Sequence, residues 1–318
     1  RRQCRRVCRL RVSRIVMASC ILLLLLHASV CASAMSLPAA APVVVLGPGS
    51  LDLRLLTAKL AARAGLQTSL FSASGGVQDI WLEQMYGVED GSTDISTSTE
   101  PLRPAMVADA DAREAALAAA EGLAIISDGV AMPEPALSSV LAVASQLKRI
   151  VCLSKMGVTR ATAGPLGLGK DAVDQLEAEE RLKAACEKAD IELAIVRVGT
   201  LKGGGPGRAD NGIDAGLARP YYDNVMDIET LRVTQAYDKV TLGAKCVKGD
   251  PVEMSNAFQR QLRKGSFEPF DDETSRVTAC AAAVAALRHP SPLEFSVSAA
   301  KAEAAPTAGQ WEAMLNQL

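Results

Sequence analysis

The apolar and polar positions set a rhythm from residue 42 onward. Val43 to Leu46 form a run of four, too short for a helix and rich in β-branching, which predicts a buried parallel strand. The turn Gly47-Pro48-Gly49-Ser50 follows, and Leu53, Leu56 and Leu60 then recur at helical spacing with Lys59 and Arg63 off that stripe. Gly65 ends the helix, and residues 68–71 predict a second strand. Strands are predicted again at 105–107, 123–127, 149–154 and 191–197, separated by helices at 112–121, 137–147 and 170–188. A late helix (274–287), strand (293–297) and short helix (311–318) complete the pattern. Such alternation predicts an α/β fold: a doubly wound parallel sheet with helices on both faces.

Two stretches break the rhythm and are expected to be insertions. Residues 72–104 carry one helical pattern at 77–86, through Ile80, Trp81 and Met85, and a Ser/Thr/Asp-rich loop at 91–99. Residues 203–272 open on a Gly/Pro run and show mixed polarity without a period. No internal repeat is visible.

Composition changes the picture mainly at the N-terminus. The chain is 49% hydrophobic with five Phe and two Trp, so its core is expected to be aliphatic. Residues 1–34 differ: seven arginines and no acid precede an apolar run at 21–26, and Ala32-Ser33-Ala34 resembles a cleavage site. This predicts a secretory signal peptide, with Met17 opening a compact leader, and no stable membrane span after its removal. Removal takes seven of the 34 basic residues and no acid, leaving 27 against 36 acidic residues and a net charge of −9. That balance argues against a general nucleic-acid binder. Residues 35–318 keep Cys152, Cys186, Cys246 and Cys280 at no framework-like spacing, so buried free thiols are expected. A disulfide-free chain fits an oxidising lumen poorly. The Ala-Ser-Ala junction before Met35 is similar to the bipartite leaders of algae with complex plastids, which pass through the endoplasmic reticulum; those leaders usually have Phe at the Met35 position and a longer transit segment.

The candidate chemistry centres on the first turn. Strand, glycine turn, helix and strand compose the first βαβ unit of a dinucleotide-binding fold, whose GxGxxG fingerprint lets the backbone approach a pyrophosphate. Here Gly47 and Gly49 stand in place, but the third glycine is Asp52. A carboxylate suits a first helical turn yet would repel a bound pyrophosphate. Two readings stay open: a weakened cofactor site, or a Rossmann-shaped unit that binds nothing.

Four segments together resemble the atypical short-chain dehydrogenase/reductases of the NmrA-like, plastid type. They are VVVLGPGS with its helix, VADADAREAALAAAEGLAIIS, RIVCLSKMGV with EAEERLKAACEKADIELAIVRVGTLKGGG, and TSRVTACAAAVAALRHPSPLEFSV. The resemblance implies a single NAD(P)-binding Rossmann-like domain over 35–318. It implies cofactor contacts at Gly47, Gly49, Ser50, Leu51, Ser72, Asp109 (matching the acid that holds the adenine), Ser127 and Gly199. Ser154 matches the family serine and is the candidate to polarise a substrate carbonyl. The departures bear on catalysis. None of Tyr86, Tyr221, Tyr222 and Tyr237 has a lysine four residues on, Val198 replaces the usual proline, and nothing basic follows the second strand to meet a 2′-phosphate. The expectation is NAD(P) binding, weakened or lost, with reductase activity unsupported. The alternative is a non-catalytic plastid assembly factor that docks a protein partner through residues 203–272.

Other constellations carry less. His289 is the one histidine of residues 35–318, which excludes a His-centred metal cluster and Ser-His-Asp or Cys-His hydrolysis; no metal is expected, and a solvated surface histidine is. Gly164 to Lys170 has P-loop spacing, but Asp171 stands where Mg²⁺ needs a hydroxyl. Glu177, Glu179, Glu180, Arg181 and Lys183 predict a solvated helix face, with Glu179 and Lys183 as an i,i+4 pair.

Overall fold

Along β1 (Pro42–Leu46), Val43 and Val45 join one hydrophobic cluster while Val44 and Leu46 join another on the opposite side of the sheet. Burial on both faces is what a central parallel strand requires, and it explains the unbroken apolar run. The protein is seen in a computed structural model that describes residues 36–72, 78–86, 103–162, 169–204, 216–253 and 269–318. Residues 1–34, the loop at 91–99 and most of the P-loop-like segment lie outside the described residues.

After β1 come α1 (Leu51–Arg63), β2 (Gln67–Phe71), α2 (Gln78–Tyr86), β3 (Ala105–Val107), α3 (Ala110–Ala119) and β4 (Gly122–Ile126). Then follow α4 (Glu134–Val143), β5 (Arg149–Lys155), α5 (Lys170–Ala189), β6 (Glu192–Val198) and β7 (Thr200–Lys202). The chain closes with α6 (Arg219–Val225), α7 (Ile228–Asp238), β8 (Gly243–Lys248), β9 (Glu273–Ser275), α8 (Arg276–Arg288), β10 (Leu293–Ala300) and α9 (Ala308–Leu315). The main sheet runs β3-β2-β1-β4-β5-β6-β10-β8, parallel throughout except where β8 pairs antiparallel with β10. This is the Rossmann-like doubly wound order, with its switch point between β1 and β4.

The stretch 203–272 is not wholly an insertion. Its residues Gly243–Lys248 form the edge strand of the main sheet, and β7 and β9 make a separate two-stranded parallel ladder. Helix α8, alanine-rich and buried over most of its length, packs against α1 beneath the sheet. Small side chains let the two helices approach closely, so their N-termini come together at the carboxyl edge of the strands.

Three charged or polar residues expected at the surface are buried. Lys59 is fully enclosed, its ammonium donating to Met85 O at 2.6 Å and Gly216 O at 2.7 Å and lying 5.1 Å from the Tyr86 ring centroid. A cation at the last carbonyls of α2 is favoured by the helix dipole, which makes this lysine a clamp between α1, α2 and the segment before α6. His289 is likewise buried, its ring nitrogens facing Asn316 Oδ1 at 3.1 Å and Ser291 O at 3.4 Å, so it ties α9 to the end of α8. Glu179 is the third. All four cysteines of the described residues are free, and three are buried.

Candidate functional site

The first turn is shaped by its own sheet. Gly47 has φ +134°, and a Cβ there would lie 2.2 Å from Ile126 O; at Gly49 the same oxygen would be 2.7 Å away. Glycine is needed at both because the turn packs on the end of β4, and Gly49 N–H donates to Ile126 O at 2.8 Å. Ser50 is the N-cap of α1 but does not cap it; its hydroxyl donates instead to Asp128 Oδ2 at 3.1 Å. Leu51 starts the helix, half-buried.

Asp52 is the next residue, and its surroundings correct the expectation of simple repulsion. Oδ1 accepts Leu53 N–H at 3.0 Å, and Oδ2 accepts Arg276 Nε at 2.7 Å from the first turn of α8. Arg276 Nη1 also donates to Gly203 O at 2.9 Å. The charge at the turn is therefore neutralised within the chain. Nearby, Asp128 has its pKa raised, first by burial, against the Ser50 hydrogen bond and with help from Asp52.

The other expected cofactor residues spread along the same edge. Ser72 is buried at the end of β2, its N–H donating to Val107 O at 3.0 Å. Its carbonyl accepts Arg113 Nη2, and the guanidinium of Arg113 lies 5.7 Å from the Phe71 ring centroid. A cation thus stands at the end of the second strand after all, supplied by α3 and not by the residues following the strand. Asp109 caps α3, accepting Ala112 N–H at 3.0 Å. Ser127 is buried beside Cys152 and lines a small cavity with Gln175 and Glu179; at about 10 Å³ it has room for a single water. Gly199 faces protein: a Cβ would meet Asp272 O at 2.1 Å, and its N–H donates to Thr274 Oγ1 at 3.0 Å.

Ser154 belongs to a different arrangement. It is fully buried, its hydroxyl donating to Glu179 Oε1 at 2.5 Å and accepting from Gln175 Nε2 at 3.0 Å. Glu179 in turn takes Arg197 Nη2 at 2.6 Å on Oε2, and Arg197 reaches Glu294 Oε1 at 2.7 Å, which Lys183 pairs at 3.1 Å. Polarising a substrate carbonyl needs an exposed hydroxyl, and this one is enclosed and committed. Three of the phenols are no ready acids either. Burial, then Asp52, pushes Tyr221 up to about 12, and burial lifts Tyr222 and Tyr237 further. A general acid works best with its pKa near the operating pH.

Two arginines and one ion pair escaped the sequence reading. Arg113 and Arg276 reach their partners across long separations and left no local signal. Glu179–Arg197 did leave one. Gln175, Glu179, Leu182 and Cys186 form the buried stripe of α5, and Arg197 interrupts an apolar strand. Two opposite charges, each inside a buried pattern, mark an internal ion pair.

The fold defines a Rossmann-like α/β protein. No family model and no curated protein matches the chain. Among solved structures, a Bacillus halodurans protein assigned as an NAD-dependent epimerase/dehydratase aligns at 12% identity and TM-score 0.49, covering 87% of this chain and 99% of its own. UDP-N-acetylglucosamine 4-epimerase from Methanobrevibacter ruminantium aligns at 11% and 0.44 over 83% and 79%. Gre2 from Candida albicans aligns at 10% and 0.45 over 86% and 82%.

Proposed function

We propose that the chain is an atypical short-chain dehydrogenase/reductase-like protein that binds NAD(P) along the carboxyl edge of its sheet and performs no Ser154-dependent reduction. The observation that carries this is the switch point itself: the glycine turn and the start of α1 lie between β1 and β4, where such folds take dinucleotides. The residues fit the cofactor unevenly. At the adenosine end, Ser72, Asp109 and Arg113 offer polar and cationic groups. At the pyrophosphate end, Asp52 and Asp128 oppose the ligand and Arg276 favours it. Bound NAD(P) would supply hydride. The chain's residues would orient it, but among the described residues none is placed and tuned to hand over the accompanying proton. Calorimetric titration of residues 35–318 with NADPH and NADH tests the reading. Saturable binding without turnover of carbonyl substrates supports it, and absence of binding to both refutes it.

A second reading is supported by a specific surface. Val225, Ile228 and Val233 of α6 and α7 are 56%, 70% and 70% exposed, the most open large apolar side chains among the described residues. They favour a protein partner on this segment, as an assembly factor would require. Because β8 belongs to the sheet, the test is local: Ile228→Asp with Val233→Asp should abolish any co-purifying partner and leave cofactor affinity unchanged. For targeting, we propose passage through the endoplasmic reticulum to a complex plastid. Sequencing the native N-terminus should find Met35 or a residue shortly beyond it, and a start before Ala32 would refute cleavage.

A further inference from the structure

We propose that Asp52 is an internal competitor for the anion site of the first turn, and that Arg276 is the group a phosphate-bearing ligand takes from it; this rests on the NAD(P) reading for its physiological ligand. Two helix N-termini meet here, those of α1 and α8. Each has a serine at its N-cap, and neither serine side chain caps its own helix. Helix starts attract anions through free N–H groups and the dipole. Asp52 makes the two contacts that phosphate oxygens make at such a place. One oxygen takes the Leu53 N–H and the other takes the Arg276 guanidinium.

Independent observations point to a missing partner. The Ser275 hydroxyl is fully buried with no hydrogen bond among the described residues. The Tyr222 hydroxyl is equally unpartnered on a side chain only 1% exposed. Gly204 joins the two elements: a Cβ there would lie 3.3 Å from Tyr222 Oη and 2.9 Å from Arg276 Cβ. Arg276 uses Nε and Nη1, leaving Nη2 without an acceptor among the described residues. The pair itself is reachable, with side chains 24% and 13% exposed for Arg276 and Asp52.

The ligand chemistry is a phosphate or pyrophosphate group. With more acceptor oxygens and more charge than a carboxylate, it binds a planar guanidinium through paired hydrogen bonds. Asp52 has the advantage of being tethered, so the native chain should hold such anions weakly. The glycine replaced by Asp52 is thus a setting of affinity and not merely a lost motif position.

The test uses residues 35–318, which include the whole compact unit 37–318. Inorganic pyrophosphate and NADPH are titrated separately against the native chain, Asp52→Asn, Arg276→Gln and the double variant, with circular dichroism confirming each fold. Arg276→Lys stands in should the glutamine variant not fold. Asp52→Asn should tighten both probes about tenfold, and adding Arg276→Gln should remove that gain. A gain for pyrophosphate alone supports the competitor and refutes the dinucleotide reading. Equal NADPH binding by every variant keeps the dinucleotide reading and overturns the competitor. A gain that survives Arg276→Gln also overturns it, since charge repulsion alone would then explain the effect.

Discussion

The sharpest test of whether Ser154 is structural lies in its partner. Glu179→Ala deletes a carboxylate that holds the Ser154 hydroxyl and one face of the Arg197 guanidinium, all at zero side-chain exposure for the ion pair. Arg197 would keep only the half-exposed Glu294, and its Nη1 already lacks a partner. Breaking a buried pair by removing one member costs about 3–5 kcal/mol, because a charge stays buried and unmatched. For a domain of this size that corresponds to a fall in melting temperature of ~6–20 °C. Ser154→Ala should cost less, about 1.5–3 kcal/mol, as one hydrogen bond to a charged group. Replacing both charges together, Glu179→Leu with Arg197→Met, should come closer to neutral than either single change, since no orphan charge remains. Urea denaturation of residues 35–318 measures all three variants. A Glu179→Ala loss below ~1 kcal/mol would mean that water reaches the pair, and the enclosure of Ser154 would then be no argument against a catalytic role.

Three further outcomes are expected. Asp128 is raised above its unfolded value of 3.8, first by burial, so its ionisation works against the folded state as pH climbs through that raised pKa. Mild acidification should therefore recover stability, and Asp128→Asn should flatten that part of the pH–stability curve. Glu294 behaves oppositely: burial pushes it up, but Arg197 and Lys183 outweigh this and hold it below 4.5, so its contribution is present above that value and lost as pH falls through the lowered pKa, a loss that Glu294→Gln should erase. Lys59→Met should destabilise by about 2–4 kcal/mol in urea by stranding the Met85 and Gly216 carbonyls, and a neutral result would place the ammonium in water.

The sheet was legible because parallel strands buried on both faces must be continuously apolar, and the runs at Val43–Leu46, Leu123–Ile126 and Ile150–Leu153 are. Strand β8 was not, for the same physical reason in reverse. As an edge strand, GAKCVK mixes lysines with small and apolar residues, and nothing in its pattern separates it from a loop. Its place is fixed by antiparallel pairing with β10, about 50 residues later in the chain. The two three-residue strands β7 and β9 are similarly set by each other, with Gly199 and Asp272 in backbone contact at their entry. Glu179 shows a different kind of failure. Counting along the helix pairs it with Lys183, which is correct for a solvated face, but α5 turns that face inward at Gln175 and Glu179 while Lys183 reaches Glu294.

At the site, the sequence locates the turn but misjudges its electrostatics. A fingerprint scored position by position treats Asp52 as a lesion, because its counter-ion lies 224 residues away in a helix chosen for its alanines. What brings Arg276 there is packing: α1 and α8 can meet at their N-termini only if the residues between them are small, and Ala58, Ala61, Ala279 and Ala283 are all in the buried core. The hydroxyls of Ser275 and Tyr222 also lie in the interior without hydrogen-bond partners among the described residues. Unsatisfied hydroxyls beside a neutralised ion pair are unfavourable in a resting structure unless the arrangement serves a second state. A ligand anion that draws Arg276 from Asp52 is such a state, and it leaves the glycine turn, with its backbone pinned to Ile126, unchanged.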